Sequence, residues 1–296
     1  MNSLEKFDDA LEKGSSKRIL TYNVWNVWNA KSSGPENKRY RIEGCAEIIL
    51  ENELDFICLQ EYDHCYRYHS DGLHGSLIAE KYEEVVPDGA DISYVWNPIF
   101  YDRNKYSVIE KGMVDFKEAG AECIEYNYAA CADGRSHFRS LTWAVLKDNF
   151  DGKIYIVGNL HYSAIGGDNN GIYSHKTEAI IVEKKIRELN SRYDAVSLIC
   201  GDYNSGVADA KVNCCGGYGI MLRDGFLDTR DLASKKNTIG SCGELDKIIE
   251  LDYELVGIDH IMTLSNNIKA EGYFVLNTER IRRLSDHNPV ILQFNT

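Results

Sequence analysis

Five apolar runs in this chain stop at polar residues that a core does not select. They lead to Asn23, Glu61, His161, Asp202 with Asn204, and Asp259. A sixth group, Ser285-Asp286-His287, directly precedes the last apolar run. One acid at a strand end is ordinarily a turn former or a helix cap. Six such groups on separate strands need another reason, because strand ends on one sheet edge are neighbours in space. Glu61, Asp202, Asn204, Asp259 and Asp286 offer hard oxygen ligands with no thiolate among them, which favours Mg2+ or Mn2+ over zinc. Mg2+ takes one or two carboxylates, so the remaining acids are free to act as bases or to orient a histidine. His161 and His287 would donate to phosphate oxygens when protonated, and an adjacent Asp raises a histidine's pKa.

These residues need buried strands that share an edge. Arg18 to Val24 is rich in β-branched and aromatic residues and reads as a strand. Lys38 to Glu51 reads as a helix with Ile42, Cys45, Ala46 and Ile49 on one face. It leads into the buried strand Asp55 to Glu61. The same order returns with a helix from Thr177 to Leu189 and a strand from Ala195 to Asp202. Further strands are expected at Trp96–Tyr101, Tyr106–Met113, His137–Leu146, Lys153–His161, Gly257–Thr263, Ile268–Leu276 and Val290–Phe294. Helix–strand units mixed with hairpins imply an α/β (α+β) fold: two mixed β-sheets packed face to face, with helices outside.

The 296 residues carry 33 basic and 46 acidic side chains, a net charge of −13. Non-specific duplex binding rests on Lys and Arg neutralising phosphates, so the charge argues against a dedicated DNA-coating protein while leaving room for a local basic groove. With 44% hydrophobic residues the chain can build a sizeable core, and disorder, collagen and coiled coil are excluded. No run approaches the length of a membrane span. No repeat or low-complexity linker divides the chain. Residues 1–16 are expected as a lead-in helix or tail and 17–296 as one domain. The N-terminus lacks the apolar stretch of a secretory signal, and nine cysteines with no CxxC pair suit a reducing compartment. Cytoplasmic location and a monomeric state are the expectations, with secretion left open for a mature chain.

Ile19-Leu-Thr-Tyr-Asn23, Ile57-Cys-Leu-Gln-Glu61, Gly158-Asn-Leu-His161, Gly201-Asp-Tyr-Asn204, Gly257-Ile-Asp259-His-Ile-Met and Ser285-Asp286-His287-Asn-Pro-Val resemble the motifs of the endonuclease/exonuclease/phosphatase family. They occur in that family's order over residues 18 to 295. Arg139-x-x-Thr142-Trp143-Ala144 and Gly225-Phe226-Leu227-Asp228 look like secondary features of it. The resemblance implies a deoxyribonuclease I-like, four-layer α/β/β/α sandwich. It implies metal contacts from Asn23, Glu61 and Asp286. His161 and His287 would face the phosphate, Asp202 would activate the attacking water, Asn204 would steady it, and Asp259 would orient His287. Where many relatives carry an acid that orients the mid-chain histidine, this chain has Asn97, a neutral candidate for that role.

The reaction so implied is Mg2+- or Mn2+-dependent hydrolysis of a phosphate ester by an Asp-activated water. A nuclease-type phosphodiesterase is the first reading. The alternative is a small-molecule or lipid head-group phosphatase or phosphodiesterase, acting on inositol phosphate or a sphingomyelin-like lipid. An inactive binding module that keeps the fold is a third. Arg280, Arg282 and Arg283 are read either as a rim for a polyanion or as a solvated edge. His260 is expected to be structural, since it points away from Asp259's face. His175 is expected at the surface. Trp25 and Trp28 are expected in the core or as an apolar wall of the site. Tyr162 and Ser163 are expected to reach substrate or to belong to a loop. A zinc site at Cys65-x3-His69, beside His64, is disfavoured because no second half matches it.

Overall fold

The first strand, β1 (Lys17–Asn23), pairs parallel with β2 (Phe56–Gln60) and antiparallel with the last, β13 (Val290–Asn295). In the computed structural model, residues 16–26, 35–68, 73–92, 95–121, 139–164, 170–208, 216–242 and 253–296 are described. The expected lead-in segment lies outside them except for Ser16, as do Trp28, His69 and residues 209–215. Around β1 a seven-stranded mixed sheet forms, in the order β10-β12-β13-β1-β2-β4-β3. Its other strands are β3 (Tyr82–Glu84), β4 (Ile99–Asp102), β10 (Lys235–Lys236) and β12 (Lys269–Val275). A second, six-stranded sheet has the order β5-β6-β7-β8-β11-β9. It comprises β5 (Tyr106–Asp115), β6 (Ser140–Asp148), β7 (Ile154–His161), β8 (Ala195–Asp202), β9 (Leu227–Asp228) and β11 (Asp259–Thr263).

Two long helices cover the outer faces. Helix α1 (Pro35–Leu50) opens on proline, which suits a first helical position, and buries Ile42, Cys45, Ala46 and Ile49. These pack with Leu20, Tyr22, Ile57 and Leu59 on the outer face of the first sheet. Five short helices follow or flank the strands: α2 (His64–Tyr68), α3 (Leu73–Glu80), then after the second long helix α5 (Gly217–Arg223), α6 (Thr229–Leu232) and α7 (Tyr253–Val256). The second long helix, α4 (Asn170–Arg192), packs Ala179, Val182, Ile186 and Leu189 against Ile156, Leu160, Ile199 and Met262. The last helix is α8 (Glu279–Arg282). Between the sheets lie Ile19, Phe56, Cys58, Tyr155, Val157, Leu198, Cys200 and Ile261. The expected four layers are present.

Successive strand side chains point to opposite faces. The inter-sheet rows therefore read Ile19-Thr21-Asn23, Phe56-Cys58-Gln60, Tyr155-Val157-Asn159-His161, Leu198-Cys200-Asp202 and Ile261-Asp259. Each row is apolar at depth and polar toward one end. At the transition, Gln60 Nε2 donates to Thr21 Oγ1 (3.0 Å) and to Asn159 Oδ1 (2.6 Å), joining the two sheets. Asn159 Nδ2 donates to the carbonyls of Leu59 and Pro98 (2.7 and 2.8 Å).

Several boundaries differ from those read in the sequence, each for a local reason. Strand β4 starts at Ile99 and not Trp96, because Pro98 has no N–H to give a ladder. Strand β11 starts at Asp259 because the Gly257 N–H closes α7 onto Tyr253 O (2.8 Å). Helix α4 begins seven residues before Thr177, and its early turns bury the polar Ser174, His175 and Glu178, which carry no apolar stripe.

Gly201, one residue before Asp202, has φ +151°, and a Cβ there would sit 2.0 Å from Leu160 O. Gly201→Ala is expected to destabilise the protein by about 1–3 kcal/mol through the backbone conformation, with the clash adding to it. Urea unfolding of the variant checks this, and an unchanged midpoint would contradict it.

Candidate active site

The polar ends of the inter-sheet rows meet at one edge of the sandwich. His161 ends β7, Asp202 ends β8 and Asp259 starts β11, and the register sets Asp202 directly beside both. His161 Nε2 lies 3.3 Å from Asp202 Oδ2, and His287 Nε2 lies 3.7 Å from the same oxygen. His287 Nδ1 bonds Asp259 Oδ2 at 2.9 Å. Asn23, across the sheets, donates Nδ2 to Asp202 Oδ2 (3.1 Å) and to Glu61 Oε1 (3.2 Å). All of these side chains are buried apart from Glu61, which is partly exposed.

Main-chain strain concentrates here. Of the four non-glycine residues with positive φ among the described ones, Trp25, Glu61 and Asn204 belong to this edge. Such conformations persist only where the surroundings over-determine them. At Glu61 the side chain accepts the N–H and Nδ2 of Asn26 on Oε2. At Asn204 the N–H donates to Asp202 Oδ1 (2.8 Å) and Nδ2 to Tyr162 O (2.8 Å). Ser285 Oγ donates to Asn23 O (2.7 Å) and accepts from His287 N, which fixes the Asp286-His287 pair against β1. Ser241 Oγ accepts the N–H of Asp259 (3.0 Å).

The electrostatics follow from crowding. Burial works to raise Asp202, but His161, His287 and the Asn204 N–H reverse this and hold it well below the usual carboxylate range. Burial likewise opposes ionisation of Glu61, and His161, the Asn26 donors and Arg139 overcome it, so its pKa is lowered. Asp286 is raised, first by burial and then by the charges of Glu61 and Asp202, with His287 pulling the other way. His287 would be lowered by burial, yet Asp259 and neighbouring groups lift it well above its ordinary value. His161 is lowered, by burial and by the charge of Arg139. The two histidines therefore differ: His287 is an imidazolium on its aspartate, and His161 favours the neutral ring with its Nε2 directed at Asp202.

Some expectations need refining. Asn23, read as a metal contact, has its Oδ1 accepting from Trp25 N (2.9 Å), and its nitrogen faces the carboxylates. It spaces Glu61 from Asp202. Of the two readings of the arginines, the solvated edge fits the observed pairing. Arg280 pairs with Glu47 and Glu51 near the end of α1. Arg282 bonds Asn277 Oδ1 and Arg283 pairs with Glu279. His175 is fully buried, not at the surface: Gly217 N donates to its Nδ1 (3.0 Å), and its Nε2 meets Ser163 O.

Asn97 is fully buried and donates Nδ2 to Ser140 Oγ (2.9 Å), while the bond that directs His161 runs to Asp202. His260 is buried on the far face of β11, against Tyr253 and Ser205 O. Tyr162 belongs to the core under α4, and Ser163 donates to Glu178. Trp25 sits at the site's margin with Arg41 over its ring. Sequence reading missed Arg41, Asn26 and Ser241. Arg41 lies on the buried face of α1 beside Ile42, and that position is the only signal it offers.

A divalent cation fits the donor set. Glu61, Asp202, Asp259 and Asp286 form a like-charged group at a partly buried edge, and burial together with the charges of Glu61 and Asp202 raises Asp286. The tight cluster of Asp202, Asp259 and His287 is less suited to hold it, because a histidine protonated on its aspartate has no lone pair to give.

This is the deoxyribonuclease I-like fold of the endonuclease/exonuclease/phosphatase proteins. An endonuclease/exonuclease/phosphatase from Bacteroides vulgatus superposes with a TM-score of 0.70 at 20% identity, over 95% of this chain and 99% of that one. A mannosyl-6-phosphatase from Bacteroides thetaiotaomicron gives 0.73 at 20% identity, over 95% and 100%. D. rerio TDP2 with a single-stranded DNA product gives 0.63 at 16% identity, over 96% and 100%. No family model and no curated protein matches the chain in sequence. Among the described residues no helix is long and apolar enough to cross a membrane.

Replacing Asp259 by Asn removes the charge that raises His287. The His287 midpoint, followed by NMR in metal-free protein, is expected to fall by about one pH unit or more. An unmoved midpoint would mean that other groups hold the proton.

Proposed function

We propose that this protein is a divalent-metal-dependent phosphoesterase in which Asp202 activates the attacking water. The observation that carries the reading is the convergence of four carboxylates, two of them fully buried, with two histidines of opposite tendency at one sheet edge. Glu61 and Asp286 would hold Mg2+ or Mn2+, and the ion would neutralise charge on the phosphoryl group and its leaving oxygen. Asp202 stays ionised and lies between both histidines, where it accepts a proton from water. Asn204, anchored on Tyr162 O, keeps a second amide hydrogen and its Oδ1 to hold that water in line. His287 donates to a non-bridging oxygen from a ring fixed by Asp259. His161 supplies Nε2–H beside it without a full charge.

The substrate we infer is a compact phosphate ester on a small polar alcohol. Arg280, Arg282 and Arg283 are each engaged by a partner within the chain, and the net charge of −13 opposes a long polyanion. Arg139, whose charge is felt by both His161 and Glu61, adds positive potential where a dianionic phosphate would sit. The likeness to a mannosyl-6-phosphatase supports a sugar-phosphate-sized substrate. A nuclease-type phosphodiesterase is the second reading, supported by the fold shared with TDP2 holding single-stranded DNA.

A panel of p-nitrophenyl phosphate, a hexose 6-phosphate, bis-p-nitrophenyl phosphate and single-stranded DNA separates the two. Turnover of the monoesters, abolished by a chelator and restored by Mg2+ or Mn2+, is expected. Faster cleavage of DNA than of any small ester would favour the nuclease.

Two substitutions probe the machinery. Asp202→Asn keeps the shape and is expected to cut turnover by about 10²–10⁴-fold, with substrate binding less affected. Retained single-turnover rate with lost binding would make Asp202 a binding residue. Glu61→Gln is expected to weaken Mg2+ binding while the protein stays folded, read by calorimetry and circular dichroism. Normal activity at limiting Mg2+ would remove Glu61 from the metal site.

A further inference from the structure

Arg41 is buried on α1, yet no carboxylate among the described residues pairs with it. A buried cation without a counter-charge is costly unless its donors are well used. Nε and Nη2 direct theirs mainly to the main chain, while Nη1 has no partner among the described residues. Nε donates to Leu284 O (2.6 Å), and Nη2 donates to Val24 O (3.0 Å) and to Trp25 O. The guanidinium lies over the Trp25 ring at 4.7 Å. Tyr66 Oη donates to Val24 O as well (2.6 Å).

The held carbonyls are not scattered. Val24 and Trp25 follow Asn23 directly, and Leu284 precedes Ser285, Asp286 and His287. Trp25 is a bulky residue at φ +54°, a conformation that needs outside support. That bend turns Asn26 so that its N–H and its Nδ2 both reach Glu61 Oε2. It also returns the Trp25 N–H to Asn23 Oδ1. The other end of the guanidinium secures the segment in which Ser285 bonds Asn23 O.

We propose that Arg41 is a positioning residue for the Glu61 carboxylate, acting by clamping the left-handed bend at Trp25 and the Leu284 carbonyl so that Asn23 and Asn26 fix Glu61 from two sides. It rests on the reading of Glu61 as a metal-holding group. A planar fork is needed, because one head group must reach carbonyls on two separate segments. Lysine has the charge but not the geometry.

The test compares wild type, Arg41→Lys, Arg41→Ala and Glu61→Gln. Mg2+ binding to metal-free protein is measured by calorimetry, and amide deuterium exchange is followed without metal. Arg41→Lys is expected to bind Mg2+ about 10–100-fold more weakly, the usual range for groups that orient metal-holding side chains. Amides at 24–26 and 285–287 should exchange faster, while those of β6 and β7 stay protected. Millimolar guanidinium should restore binding to Arg41→Ala, which a general packing defect would not allow. Should Arg41→Ala fail to fold, Arg41→Lys carries the test through its exchange pattern. Wild-type Mg2+ affinity in Arg41→Lys, with Glu61→Gln impaired, would overturn the proposal. Wild-type affinity in Glu61→Gln would instead overturn the metal reading of Glu61. In that case faster exchange at 24–26 in Arg41→Lys supports the clamp, and unchanged exchange overturns it.

Discussion

Mutual repulsion among Glu61, Asp202, Asp259 and Asp286 is the constraint around which the rest of this structure is organised. Four carboxylates in one largely buried place resist ionisation and push each other's protons back on. Asp286 and Asp259 are raised accordingly, burial being the main cause in both. Asp202 and Glu61 are not, because each has been given specific donors. Asp202 takes Asn23, Asn204 and two imidazoles, and Glu61 takes Asn23 and both donors of Asn26. The site thus sorts four chemically similar groups into two whose pKa is held down and two whose pKa is raised.

That sorting requires backbone geometry that ordinary strands do not provide. A strand delivers a side chain to one face, but it leaves its end free to fray. Here three of the strand ends turn sharply, through left-handed residues at Trp25, Glu61 and Asn204. Each turn is fastened by a bond to a residue on a different element. Arg41 fastens the turn after β1, Asn26 the one after β2, and Tyr162 O the one after β8. Catalytic groups need placement to within about half an ångström, and rigid elements with locked neighbours supply that.

The asymmetry of the two histidines is a consequence of the same packing. His287 meets the buried Asp259 through Nδ1, and the contact holds a proton on the ring. His161 feels Arg139, and its Nε2 lies beside Asp202, which other donors already hold ionised. One ring is kept as a cationic donor and the other as a neutral one. A phosphate ester entering this edge would meet positive potential on the β11 side and a hydrogen-bond donor on the β7 side.

Much of this was legible in the sequence, and the reason is periodicity. Apolar runs with a polar last residue fix both the strand and the face on which that residue emerges, so Asn23, His161, Asp202 and Asp259 were identifiable before any coordinates. The stripe in α4 and the two-sheet arrangement were legible for the same reason. Polar residues that serve structure left no such trace. His175 looked like a surface residue because nothing in its neighbourhood announces the two backbone groups it joins. The arginines at 280, 282 and 283 left a polyanion rim and a solvated edge both open, and only the tertiary structure supplied Glu47 and Glu51 from another element to engage Arg280. The strand pattern brought Asn23 to the edge, but which end of its amide faces Glu61 was decided by the Trp25 bend. Local sequence determines which residues reach the edge of the sandwich. Their partners come from segments far apart in the chain, so pairing, protonation and amide orientation were decided only when the sheets closed.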